Sequence, residues 1–162
     1  MELGKIFIIL GALLTILGTY VFALFLFWAG AVGSGLGFAM NLPDIIALDP
    51  GSLGLDPIVF YFMLVLFIIW LASGELQLVG LKVKIVGIIF SLFPLGIGIM
   101  FLLLFYTEVL GLMTALFTFF TIGEHFGDFF PILVPLGDVG LAAYFLLAGG
   151  VLGLVGSIMP RD

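Results

Sequence analysis

"SGELQLVGLKVK", residues 73–84, interrupts two long apolar runs and carries Lys82 and Lys84, two of only four basic residues in the chain. The run before it starts at Pro57 and reaches about Leu71, continuing as helix towards Leu78; the run after it goes from Val83 to Tyr106. Either is long enough to cross a hydrocarbon core about 30 Å thick, which takes roughly 20 helical residues. The stretch left between them (73–82) allows only a tight turn, so the two runs form an antiparallel helical hairpin. Pro57 suits the first turn of the leading helix, where its missing N–H has no partner to lose.

Outward from this hairpin, Ile6–Trp28 and Val139–Ile158 have the same character. The first is too long for the roughly 7–15 apolar residues of a signal peptide and reads as a span. Over 162 residues the chain is 64% hydrophobic and only 9% charged, with a mean hydropathy of +1.48; a soluble domain carries roughly 25% charge. No soluble fold of this size has enough interior to hide that apolar surface, so the solvent is lipid. The expected fold is an all-α membrane protein: one domain over 1–162, a bundle of four transmembrane helices at about 6–28, 57–78, 83–106 and 139–158. Two long outer loops, about 29–56 and 107–138, join them, the second containing a short helix.

Charge placement gives an orientation. With four spans, Lys5, Lys82, Lys84 and Arg161 all fall on the side of the termini and the 73–84 turn. The long connections contain no Lys or Arg and hold seven of the ten acids: Asp44, Asp49, Asp56, Glu108, Glu124, Asp128 and Asp138. Basic residues stay on the cytoplasmic side, which puts both termini inside and both long loops outside, in a multi-pass protein of the cytoplasmic (plasma) membrane. Aromatic residues agree: Phe27, Trp28, Phe60 to Phe62 and Tyr106 mark the outer ends, and Trp70 lies nearer the inner face. A fifth apolar run, "VLGLMTALFTFFT" (109–121), is too short to span and reads as an external helix packed on other protein, one option being a continuation of the third span, with Glu108 near its N-terminal turn. "KIFIILGALL" (5–14) and "KIVGIIFSLF" (84–93) align weakly as parallel repeats.

Few residues here carry chemistry. "TIGEHFGDFFP" (121–131) contains the only histidine, and Glu124, His125 and Asp128 are candidate metal ligands, although zinc sites want three or four ligands and often a second imidazole. The alternative is a loop tip in water, bounded by Gly123, Gly127 and Pro131. "AGAVGSGLG" (29–37) lacks the strand–turn–helix setting of a dinucleotide fingerprint. Its Gly30, Gly33 and Gly37, like Gly149, Gly153 and Gly156 in the last span, read instead as small-residue faces for close helix packing. Glu75 is an intramembrane candidate by default, yet sits close enough to Lys82 and Lys84 to reach headgroup water. Pro94 should kink the third span. No charge occupies a span centre, and no polar residues are seen lining a span.

A Ser–His–Asp arrangement would have only Ser34 and Ser52 on the outer side, neither in a nucleophile-elbow setting. The chain has no cysteine, which removes thiolate chemistry and cysteine-ligated metals. Its net charge of −6 leaves no basic patch for nucleic acid. No cofactor is expected. The outer loops are acidic but rich in Phe, Leu, Ile and Met, more apolar than a loop dissolved in water. The plan of four spans with two long outer loops resembles that of tetraspan families such as the claudins, in layout only: the claudin first-loop tryptophan, Gly-Leu-Trp and paired cysteines are absent. The expectation is a non-enzymatic tetraspan protein acting in lateral or cell-surface assembly, with the lipid bilayer and further copies or other membrane subunits as partners. An accessory subunit of a larger complex is the alternative, and a small cation channel or transporter a third reading.

Overall fold

The computed structural model describes residues 2–111 and 113–160. Arg161, one of the orienting bases, and Leu112, within the 109–121 run, lie outside the described residues. In chain order the elements are helix α1 (Leu3–Ile16), prolonged by one π-helical turn (Leu17–Val21), strands β1 (Phe25–Trp28) and β2 (Ala31–Gly33), and helices α2 (Gly35–Ala47), α3 (Pro57–Val79) and α4 (Lys84–Tyr106). Helix α5 (Met113–Thr121), strands β3 (Ile122–Glu124), β4 (Pro135–Leu136) and β5 (Val139–Gly140) and helix α6 (Leu141–Ile158) complete the fold. Four helices are long and apolar enough to cross a membrane: Leu3–Val21, α3, α4 and α6. They pack in a ring, α1–α3–α4–α6, with α1 and α4 nearly out of contact across it.

Local sequence explains α3. Asp56 caps it, its Oδ1 accepting from the N–H groups of Ile58 (2.8 Å) and Val59 (3.3 Å), and Pro57 occupies the first turn. Its buried positions, Phe60, Leu64, Phe67, Trp70, Ser73, Gly74 and Gln77, recur at the three-and-four spacing of one helical face. The opposite stripe, through Phe62, Val65, Ile68 and Ala72, is exposed and apolar until Glu75. Asp56→Ala should lower stability by about 1 kcal/mol, the usual loss for an N-cap aspartate; a thermal melt in detergent checks it.

The two ends of the ring differ in charge. At one end, Gly4 lies against Gly156, and Lys84 Nζ donates to the Ile158 carbonyl at 2.9 Å. That gathers the start of α1, the α3–α4 turn and the end of α6, along with Lys5, Lys82 and Lys84. The seven acids of the two long connections are all exposed, away from this end.

The helices are unequal in reach. The Tyr20 hydroxyl donates to the Leu71 carbonyl at 2.6 Å, so the last turn of α1 is level with Leu71. From there α3 continues towards Pro57 for about 21 Å at 1.5 Å per residue, with no α1 beside it. The polypeptide from 22 to 56 and from 107 to 140 fills that space. α2 begins against α1, where a Cβ on Gly35 would collide with the Thr19 backbone, and α5 returns to the same level, its terminal Thr121 carbonyl accepting from Ser34 N–H at 3.0 Å. Asn41 Nδ2 ties the two together, donating to the carbonyls of Phe120 (3.3 Å) and Ile122 (2.6 Å). Phe67 of α3 is the hub of the joint, with the rings of Phe38, Phe117, Phe120, Phe101 and Trp70 at centroid distances of 5.3–6.5 Å.

Several expectations need correction. The Ile6–Trp28 run is not one helix: it leaves helical geometry at Phe22 (φ −100°, ψ 150°), and Phe25–Trp28 is a strand. Apolar composition reports which solvent a segment avoids, not its dihedrals, and the backbone groups freed at the break find partners. Ala23 N–H donates to Ile132 O (2.9 Å), Ile132 N–H to Val21 O (2.8 Å) and Leu24 N–H to Gly33 O (2.7 Å). Nor is the fold wholly α. β1, β2 and β3 form an antiparallel sheet with Val32 opposite both Leu26 and Gly123, and β4–β5 is a separate hairpin. The first connection contains α2, a helix the sequence reading missed. Glu108 lies in a turn before α5, not in its first turn, and Thr107 is extended, so α5 is no continuation of α4.

Candidate functional site

The three candidate metal ligands sit at and just after the edge of the small sheet. Glu124, on β3, pairs with Ala31 and is exposed. His125 N–H donates to the Gly30 carbonyl at 2.9 Å, and its Nε2 is buried without a protein partner. Asp128 has a left-handed backbone (φ 55°) in the tight turn that follows, next to Gly127 (φ 60°). Among the described residues no three His, Asp or Glu side chains gather closely enough to hold a metal ion.

The glycines divide. Gly30 is a hairpin turn residue (φ 85°) with nothing near its Cβ direction, and Gly33 lies on β2 beneath the Phe25 ring, so neither belongs to a helix face. Gly37 is helical but packs on β3, where a Cβ would lie 3.1 Å from Gly123 N. Strand and turn geometry over 25–33 takes Gly30 and Gly33 off any helix face. The α6 set behaves differently. A Cβ on Gly149 would lie 2.8 Å from Gly11 O, one on Gly156 2.9 Å from Ile8 N, and one on Gly11 2.6 Å from Gly153 N. The α1–α6 crossing is therefore backbone against backbone, within one chain.

A feature absent from the sequence reading runs inside the ring. Among the described residues the buried polar side chains are Thr15, Thr19, Ser34, Ser73, Gln77, Ser91, Thr121 and Ser157, all uncharged; Ser34 and Thr121 lie in the outer layer, and every span contributes to the rest. Thr15, Thr19, Gln77, Ser91 and Ser157 form a seam. Thr19 Oγ1 donates to Thr15 O (2.7 Å), and Thr15 Oγ1 faces Gly149. Gln77 Nε2 donates to Gly149 O (3.3 Å) and to Ser91 Oγ (3.2 Å), while Ser91 Oγ donates to Gly87 O (2.6 Å). Gly87 in turn faces Ser157 Oγ, and Gly153 leaves the space that Gln77 and Ser91 occupy. The spans are thus lined with polar groups after all, but on the inner face. Gln77 falls within the 57–78 span read from the sequence but escaped notice as a polar residue near its end; its spacing from Trp70 and Ser73 was the available signal. With no titratable group or activated nucleophile, the seam can hold helices in register but offers no acid–base or covalent chemistry.

The outward surface of α3 is flanked by two openings. Towards α4 lies an apolar cleft of about 470 Å³, lined by Met63, Leu66, Ile89, Leu92, Phe93 and Met100 around Gly96, whose Cβ direction is open. Towards α1 lies a groove of about 380 Å³ lined by Tyr20, Leu71, Ala72, Glu75 and Leu76. Against known proteins, the chain matches no family model, no curated protein and no solved structure.

Proposed function

We propose that this chain is a non-enzymatic, multi-pass subunit that works by lateral assembly in the cytoplasmic membrane, and that the outward side of α3 is its assembly face. One observation carries the reading: the α3–α4 cleft at Gly96, an apolar trough where a missing side chain lets another helix backbone approach closely. The charge difference between the two ends supports placing both termini and the α3–α4 turn in the cytoplasm and the acidic connections outside. In that placement α2 and α5 lie beside the outer half of α3, at the depth of the outer leaflet. Their apolar composition fits that position better than a loop in water.

The chain has no cysteine, so a single introduced thiol is a clean probe. Gly96→Cys, labelled in native membranes with a maleimide–benzophenone and irradiated so that the ketone inserts into a neighbouring C–H bond, should give a cross-linked product, while Ile58→Cys, 81% exposed on the same helix hairpin, should not. A product of twice the chain mass means self-assembly. A product of another mass means the chain is an accessory subunit of a larger complex. Equal labelling without cross-links at both positions overturns the assembly reading.

A further inference from the structure

We propose that Glu75 is the polar anchor of this assembly face, and that it receives a lysine or arginine from a transmembrane helix of a different subunit; the inference rests on the assembly reading above and names its partner. Glu75 is the only charged residue on the outward stripe of α3, after Phe62, Val65, Ile68 and Ala72. Its neighbour Gly74 packs on Ile16, where a Cβ would lie 2.6 Å from Ile16 Cγ1. Measured along α1, Ile16 is about 16 Å of helix from Lys5; measured along α3, Glu75 is about 6 Å from the helix end at Val79. On the α1 side the carboxylate is thus level with Ile16, in the groove that Tyr20 shares. No described base neutralises it: Lys84 donates to Ile158 O, and the one ion pair among the described residues is Lys5–Glu2 at 3.3 Å.

An exposed carboxylate in an apolar groove calls for a cation, because hydrocarbon offers it no other partner. The α1 side of the groove is fixed by the π-helical turn, which brings Tyr20 onto α3, and such turns recur at functional positions. A second copy does not fit. Its described bases, Lys5, Lys82 and Lys84, stand in the first turns of α1, in the α3–α4 turn and at the start of α4, none at the level of Glu75. A span of another protein with one basic residue does fit, by charge complementarity.

The test compares wild type, Glu75→Gln and Glu75→Lys, each as the full chain gently extracted from its own membranes and weighed by native mass spectrometry. Wild type should carry a second protein. Glu75→Lys should weaken that complex at least about tenfold, and Glu75→Gln less, as breaking one side of a buried ion pair requires. An Ala72→Cys variant, which keeps Glu75, should cross-link to the same second protein, guarding against a charge variant that merely misfolds. If Glu75→Lys leaves the complex intact, or Ala72→Cys meets only lipid while Gly96→Cys still cross-links, Glu75 is a headgroup-facing residue and the proposal is overturned although the assembly reading stands. If the Gly96→Cys cross-link is missing as well, the assembly reading itself has failed.

Discussion

Gly11→Leu should drive α1 away from α6 and lower the unfolding midpoint in detergent by about 6–12 °C, the equivalent of roughly 3 kcal/mol in a chain of this size. A Cβ at Gly11 would stand 2.6 Å from Gly153 N and 2.7 Å from Gly149 O, and both are backbone atoms of a facing helix. A flexible side chain can turn aside; a helix backbone has to move as a body, and moving α6 also pulls Gly149 O from Gln77 and opens the seam. Even Gly11→Ala should register in the melt. Gly96→Ala is the control, since its added methyl group meets open space and should leave the midpoint where it was. Equal behaviour of the two alanine variants would show that α1 and α6 do not touch through their backbones.

Phe67→Ala should release the α2–α5 layer while leaving the four long helices associated. The Phe67 side chain is fully buried and meets five other aromatic rings drawn from α2, α3, α4 and α5. Truncating a buried phenylalanine removes about 3–5 kcal/mol in soluble cores. Beside lipid part of the transfer contribution disappears, because acyl chains are as apolar as the ring, but the lost dispersion contacts and the cavity remain. About 3 kcal/mol is the expected loss, concentrated where the rings meet. Limited proteolysis should then cut within 29–56 and 107–138 at rates that wild type resists, with α3 and α4 still protected. Phe62→Ala, on the exposed stripe one turn away, should change neither pattern. Cleavage that is unchanged in Phe67→Ala would mean the layer is held by something other than these rings.

The long helices were legible because their boundaries coincide with chemical punctuation. Asp56 and Pro57 start α3, Lys84 starts α4, and Tyr106 gives way to Thr107 and Glu108. Where composition stays uniform across a change of conformation, sequence has nothing to read: "VFALFLFW" is as apolar after α1 ends as before, and the turn at Phe22 is imposed by Ile132, more than a hundred residues away. "GSGLGFAMNLPD" hides α2 for the opposite reason. Its glycines and Pro43 have loop character, and only the Ser34 cap, which accepts from Gly37 N–H at 2.9 Å, marks a helix start. Gly30 and Gly156 are the same residue type in similar spacing, yet one serves a positive φ and the other a helix crossing. Glu75 was visible as a charge in a span, but its position on the outward stripe emerges only once Gln77 is known to face inward.

The ties between α2 and α5 also set a timetable. Asn41 must find the carbonyls of Phe120 and Ile122, 79 and 81 residues further along the chain. At roughly 5–20 residues per second of synthesis, those partners arrive about 4–16 seconds after Asn41 itself. Throughout that interval β1, β2 and α2 have left the ribosome with an unpaired sheet edge and an unsheltered Phe38, and only then does β3 complete the sheet. The cell must tolerate or guard that half-built layer each time the protein is made.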